Sequence, residues 1–397
     1  MDDERVSLLE GFSGAAYSPP SLYFAARALP TDIVARLRER NVCSISTATV
    51  RDPEEAFAKA GTPIGVEPKS FPFADLGLTC KKTKPGYPVV VEHAPVHMHC
   101  SVDKIVDLDG DGQALVILLV DTFVIDGSVL SEPTEEMKKR PNVTAKIDVQ
   151  LIKPVVSFGQ GKVRPLKTIH SMPRPFKQDD GTWTSTDFDL ATPTPGPGGF
   201  ATTEWTFKEH GATCPLGYNA LTALIMPRPI GWISTYRKNG RVPHIAPYSF
   251  FSDVARAGDR PMVAFSGHRR NGETPKDAEQ DTIDGGCFAF NMVTRSLVVP
   301  MNLSAAEIAS EDSEFKLSGL QMQPAEFIDA PVVVQSPIRF ECKYIKSVPI
   351  GSFSIVVAEV VAIAVNERVI TGTDIDFKLL DFVVRLGFMD EYATIDI

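Results

Sequence analysis

Apolar residues along this chain fall in short runs rather than at helical spacing. VVVEHAPVHMHCSVDKIV (89–106), ALVILLVDTFVI (114–125), PVVVQSPIRFECKYI (331–345) and FSIVVAEVVAIAV (353–365) are rich in Val and Ile and are separated by Gly, Pro and Asp. Such runs at short intervals predict strands of an antiparallel sandwich or barrel, a mainly β protein. Helical patterning is confined to 28–40, with Thr31 or Asp32 as the expected N-cap, and to 52–60. Residues 169–205, which include PRPFKQDDGTWTSTDFDLATPTPGPGG, read as a Pro/Gly-rich linker between domains at 1–168 and 206–397.

The pattern repeats. Residues 73–104 align with 315–346 at a constant offset of 242, matching Phe73 to Phe315, Gly77–Leu78 to Gly319–Leu320, Pro95 to Pro337 and Cys100 to Cys342. Upstream, SPPSLYFAARA (18–28) resembles DRPMVAFSGHR (259–269), and VCSIS (42–46) resembles CFAFN (287–291). This reads as a tandem duplication with unequal copies. The block MPRPIGWISTYRKNGRVPHIAPYS (226–249) would have to precede Gly11 in the first copy, where only ten residues stand.

Composition narrows the classes. With 43% hydrophobic and 23% charged residues, the chain is too apolar for disorder, and its length suggests two or three domains. No stretch is long and apolar enough for a membrane helix, and MDDERVSLLE lacks the apolar region of a secretory signal, so a soluble, cytoplasmic protein is expected. A net charge of −10 argues against nucleic acid. The six Cys are scattered without C-x-x-C or zinc spacing and read as buried apolar side chains.

Several motifs have bland readings. DLDGDG (107–112) has the Asp spacing of a calcium loop but Leu118 at its twelfth position, and reads as a hairpin turn. His97 and His99 share a strand face, but their counterparts are Arg339 and Glu341, so a solvated polar face is expected rather than a metal site. GQGKVR (159–164) lacks the third Gly of a dinucleotide loop. The block present only in the second copy is richer. It supplies aromatic walls (Trp232, Tyr248, Phe250, Phe251) and, with FSGHRR and NGETPKDAEQDT, anion-suited groups (Ser234, Thr235, Ser266, Arg269, Arg270, Lys276). Taken alone, these residues fit either a solvated basic turn or a pocket for a flat, phosphorylated, conjugated ligand.

The order PRPxGWxST … APYSFF … P-MVAFS … KD … FxxN … SEF … GL … EC … AEV … RLG…Y resembles the flavin reductase-like family, the flavoredoxin-type FMN-binding split barrels, over about 210–397. The resemblance implies two tandem split β-barrels of Greek-key type forming an intrachain pseudo-dimer, with a further homodimer left open. It implies one FMN per chain in the second copy, NAD(P)H as co-substrate, and a flavin or small organic acceptor. Trp232, Ile233, Ser234, Thr235, Ala246, Pro247, Tyr248 and Ser249 would line the isoalloxazine and ribityl chain, Ser249 facing its reactive edge. Ser266, Arg269, Arg270 and Lys276 would take the phosphate, and Arg385 and Tyr392 match the terminal motif. Two departures stand out: His244 where the family has Asn, and Ala278 where it has Thr. His244 raises a rival reading, a biosynthetic enzyme that reuses the pocket for isomerisation, cyclisation or elimination with His244 as acid or base.

Overall fold

The computed structural model describes residues 5–7, 9, 12–17, 20–26, 29–49, 52, 54–61, 69–108, 114–139, 143–153, 155–157, 163–186, 203–206, 220–238, 241–255, 261–309, 311–387 and 391–395. Residues 109–113, 159–162, 239–240 and, of the Pro/Gly-rich stretch, 187–202 lie outside these. The protein is mainly β, with two compact units: 1–166 with 194–227 and 254–258, and 167–193 with 228–253 and 259–397. Among the described residues, no helix is long and apolar enough to cross a membrane, and no group of His, Cys, Asp and Glu is placed to hold a metal ion.

The first unit is built on strands β1 (Phe12–Tyr17), β2 (Pro20–Ala25), β3 (Val42–Ser46), β4 (Val96–Asp107) and β5 (Ala114–Ile125), in the antiparallel order β1-β2-β5-β4-β3. A further strand, β6 (Thr203–Thr206), pairs with β5 from Thr122 to Ile125. Burial of Leu22, Tyr23, Phe24, Leu115, Ile117 and Leu118 makes the core, stabilising it by roughly 1.5–3 kcal/mol per large apolar side chain. Helix α1 (Thr31–Arg40) forms where the pattern predicts it, but its N-cap is Pro30, with no side-chain cap bond. Neither Thr31 nor Asp32 caps it. Asp32 instead accepts a hydrogen bond from Ser70 Oγ at 2.7 Å.

The second unit carries β7 (Gly231–Tyr236), β8 (Pro243–Tyr248), β9 (Phe251–Ala255), β10 (Met262–His268), β11 (Cys287–Asn291), β12 (Ile338–Ile350) and β13 (Phe353–Val365). Their order is β8-β7-β11-β12-β13-β10-β9. Helix α2 (Asp277–Gly285) precedes β11, and β14 (Val383–Arg385) pairs with β15 (Glu391–Ile395) near the C-terminus. Gly231 opens β7 because a Cβ there would stand 2.7 Å from the Phe251 ring. The stretch 169–186 contains a short hairpin, Phe176–Lys177 against Trp183–Thr184. It is tied down where Asn302 Nδ2 donates to Pro173 O (2.8 Å) and Ser185 Oγ (2.7 Å), and it gives Met172 to the core.

The two sheets repeat one plan. The β4–β5 ladder shifts register between His99 and Cys100 and between Val102 and Lys104; the β12–β13 ladder shifts between Glu341 and Cys342 and between Tyr344 and Lys346. Those positions are related by the offset of 242. Cys100 faces Cys43 across β3 as Cys342 faces Phe288 across β11, and Leu22–Leu118 corresponds to Val263–Ala358. Strands β1-β2-β5-β4-β3 therefore match β9-β10-β13-β12-β11. The β7–β8 hairpin has no counterpart among the described residues of the first unit.

The two histidines of HAPVHMHC are not on a solvated face: His97 and His99 are buried. His99 Nδ1 bonds Ser44 Oγ (2.9 Å) and Nε2 bonds Thr83 Oγ1 (2.8 Å), anchoring the 82–89 loop over the sheet. Its counterpart Glu341 does the same for the other copy, accepting the N–H groups of Glu326 (3.0 Å) and Phe327 (2.6 Å). Buried polar groups persist where they are hydrogen-bonded, and a loop anchor meets that condition.

Candidate functional site

The β7–β8 hairpin positions most of the residues singled out in the sequence, and alternation along each strand divides them. Trp232, Ile233 and Ser234 are fully buried. Trp232 donates through Nε1 to Ser304 Oγ (2.9 Å) within a cluster holding Ile230, Leu297, Met301 and Phe315. Ser234 Oγ donates to Pro331 O (2.6 Å) and accepts from Asn291 Nδ2 (2.9 Å). These side chains serve the interior. Ala246, Pro247, Tyr248 and Ser249, at the end of β8, are half-buried and reach the surface.

Tyr248 links the hairpin to the next group. Its ring packs on Phe265 (centroids 4.7 Å apart), and a Cβ on Gly267 would stand 3.0 Å from it. Burial, followed by the nearby Glu279, Asp277 and Asp281, pushes its hydroxyl well above the ordinary tyrosine range. Ser266 lies just before Gly267, buried, its N–H donating to Phe250 O (2.8 Å). Beyond it, Arg269 is half-buried, and its Nε is shielded from solvent without a hydrogen-bond partner. Arg270 is exposed and forks onto Asp277 at 2.9 and 3.0 Å. Burial resists ionisation of Asp277, but the Arg270 pair outweighs it and holds the carboxyl below its usual value. Lys276 is exposed at the N-cap of α2, which has no side-chain cap bond. Ala278 is buried against Ile233, Phe251 and Phe265, so the missing hydroxyl there belongs to packing rather than to an open anion site.

Thr235 and His244, directly opposed on β7 and β8, enter a buried charged cluster that the sequence reading did not assemble. Arg237 is its centre. Its guanidinium lies 3.3 Å from Asp277, 3.9 Å from Asp281 and 3.5 Å from Glu314, and donates to Asp312 O at 3.2 Å. His244 is wedged between Asp281 (Nδ1, 3.4 Å) and Glu314 (Nε2, 3.5 Å), its side chain 5% exposed. Thr235 Oγ1 donates to Asp281 at 3.2 Å. Burial raises the Glu314 carboxyl, partly offset by His244 and Arg237. The cluster ties the hairpin to α2 and to the Glu314–Leu317 turn of helix. Arg237 carries no motif, and its only sequence signal is an arginine at the end of an apolar strand.

The terminal pair meets as the sequence implies. Arg385 and Tyr392 face each other on β14 and β15, with the guanidinium 4.3 Å from the ring centroid and bonded to the hydroxyl. The PRP segment joins them: Arg228 and Arg385 exchange backbone hydrogen bonds at 2.9 and 2.8 Å. Arg228 also donates to Ser249 Oγ (3.0 Å) and to Leu386 O, so a buried arginine aims the Ser249 hydroxyl. Half-buried aromatic surface, an aimed hydroxyl, an unpaired arginine nitrogen and an uncapped helix N-terminus together suit a flat ligand with an anionic tail.

Residues 223–380 match the profile of the flavin reductase like domain. An uncharacterised protein of Deinococcus radiodurans is 33% identical over 183 residues, covering 44% of this chain and 79% of the relative. One from Aquifex aeolicus is 31% identical over 171 residues, covering 43% and 86%. Among solved structures, nitrilotriacetate monooxygenase component B from Bacillus cereus is 29% identical, covering 45% of this chain and 89% of its own, at a TM-score of 0.43. With its ordered motifs on a split-barrel sheet, the chain belongs to the flavin reductase-like family.

Proposed function

We propose that the second unit binds one FMN and that the protein is an NAD(P)H-dependent oxidoreductase acting on a flavin or a small organic acceptor. The observation that carries this reading is the hairpin β7–β8, which brings the half-buried 246–249 surface beside the Arg269 and α2 anion groups. The fit is chemical. The buried Arg269 Nε lacks a partner and the first turn of α2 lacks a cap, and a phosphate would satisfy both. FMN, when bound, would supply the hydride-carrying ring. The chain's own residues do the rest. Arg269, Lys276 and the first-turn amides hold the anionic tail, while Arg228 fixes Ser249. The Arg237 cluster pins α2 to the hairpin so that both ends of the site keep their spacing.

We also read the first unit as a duplicate that lost the hairpin and with it the cofactor site. The burial of His244, both ring nitrogens facing carboxylates, favours redox chemistry over the rival acid–base reading, because no ring nitrogen is left for a substrate. The test is an FMN titration followed by anaerobic NAD(P)H. One FMN per chain, bleached by NADH or NADPH, is expected, with Arg269→Ala weakening FMN about tenfold or more, as for loss of a charged hydrogen bond. No binding, or no bleaching, overturns the redox reading, and a flavin-to-chain ratio near two overturns the single site.

A further inference from the structure

We propose that Cys43 and Cys100 form a reversible disulfide across strands β3 and β4, making the first unit a thiol-modification site independent of the flavin reading. The two residues are direct cross-strand partners. The Val102 N–H donates to Asn41 O and the Thr47 N–H to Val96 O, so Cys43 and Cys100 form a hydrogen-bonded pair of the ladder; such pairs have Cα atoms about 5.5 Å apart, inside the roughly 4.4–6.8 Å span of a disulfide. Both cysteines are free thiols.

Access differs between the two, in the way a two-step exchange requires. Cys43 is partly exposed and Cys100 is fully buried. Cys43 lies on β3, which among the described residues stands at the edge of its sheet, without the outer neighbour that β7 gives β11 in the second unit. There the equivalent residue, Phe288, is fully buried. The second unit also offers an internal control. Cys287 faces Lys343 and Cys342 faces Phe288, so its two cysteines are one register step apart and point to opposite sheet faces. They cannot join.

The oxidant is a low-molecular-weight disulfide such as oxidised glutathione. The Cys43 thiolate attacks one of its sulfurs, the S–S bond breaks, and one thiol leaves with the proton given up by Cys43. Cys100 then attacks the Cys43 sulfur, displacing the second thiol, which takes the Cys100 proton. The protein loses two hydrogens and the small disulfide becomes two thiols. Burial pushes the Cys100 thiol up, so ring closure accelerates as pH rises.

The experiment treats native, reduced full-length protein with oxidised glutathione, quenches with an alkylating reagent, unfolds, alkylates again and maps peptides without reductant. A Cys43–Cys100 cross-link two hydrogens lighter than the dithiol is expected, reversed by dithiothreitol, with Cys287 and Cys342 still alkylatable after unfolding. In Cys100→Ser, Cys43 should stop at the glutathione adduct, and in Cys43→Ser, Cys100 should remain a free thiol. A wild-type adduct at Cys43 that never closes overturns the proposal. So does an unreactive pair in a sample whose exposed Cys80 is modified, or a cross-link of Cys43 to any other cysteine.

Discussion

Replacing Arg237 by Met removes the guanidinium from a cluster whose other members stay buried. The ion pairs to Asp281 (3.9 Å) and Glu314 (3.5 Å) involve side chains 10% and 5% exposed, while that of Arg237 is 8% exposed. At an effective dielectric near 20, each pair is worth roughly 4–5 kcal/mol of gross attraction. Desolvation offsets most of this in the intact protein. It offsets nothing once the cation is gone, so Arg237→Met should cost about 3–5 kcal/mol. Burial already raises Glu314, and loss of Arg237 raises it further; adding Glu314→Gln removes that stranded charge and should recover part of the loss, with a coupling of about 0.5–3 kcal/mol. Arg241 is the comparison. It reaches Asp329 by two shorter contacts, 2.6 and 2.7 Å, but both side chains are more than half exposed. Arg241→Gln should leave the urea midpoint unchanged, because solvent screens exposed pairs. Urea unfolding in a Trp183→Phe, Trp205→Phe background makes the buried Trp232 the reporter of the second unit. If Arg241→Gln costs as much as Arg237→Met, or Glu314→Gln fails to rescue, burial is not what gives this cluster its weight.

His97 is buried and its pKa is lowered to about 4, first by desolvation and then by Lys81 and His99. The unfolded chain binds the proton at 6.5 and the folded chain resists it, so this contribution is complete above about pH 6.5 and is lost as pH falls toward 4. It amounts to at most about 3 kcal/mol; His97→Asn should flatten that part of the stability–pH curve in urea titrations between pH 4 and 7. Gly231→Ala places a methyl 2.7 Å from Phe251 and should cost about 1–3 kcal/mol of overpacking, read as a lower melting temperature that Phe251→Leu partly restores. Asp121→Val strips the acceptor from Tyr87 (3.0 Å) and Ser101 (3.1 Å), so hydrogen exchange should quicken in 82–89 while α1 and β2 keep their protection.

The fold was legible because strand patterning is local and the same pattern stands twice along the chain. Matching Cys100 to Cys342 in the sequence already aligned the two ladders, and both register shifts recur at that offset. The N-cap of α1 was not legible, because Pro30 fixes the entry backbone and leaves Thr31 and Asp32 inside the helix. Nor was the burial of His97 and His99, which depends on Ser46, Ser44 and Thr83 arriving from other elements.

The site was legible as a set of residues but not as a division of labour. Period-two alternation sends Trp232 and Ser234 inward, and a motif read as one string cannot tell such positions from the half-buried 246–249 that follow. His244 was noticed for its chemistry, yet its partners Asp281 and Glu314 are far along the chain, and Arg237, which neutralises them, matches no pattern. The same logic separates the two copies. At the extra residue of the equivalent bulge the first copy has Asp121 and the second Val361; facing the shared cysteine, the first has Cys43 and the second Phe288. The copy without the hairpin thus holds titratable groups on positions where the copy with the hairpin is apolar. Such groups are tolerated only where hydrogen bonds or solvent reach them, and the open edge of β3 supplies that solvent for Cys43.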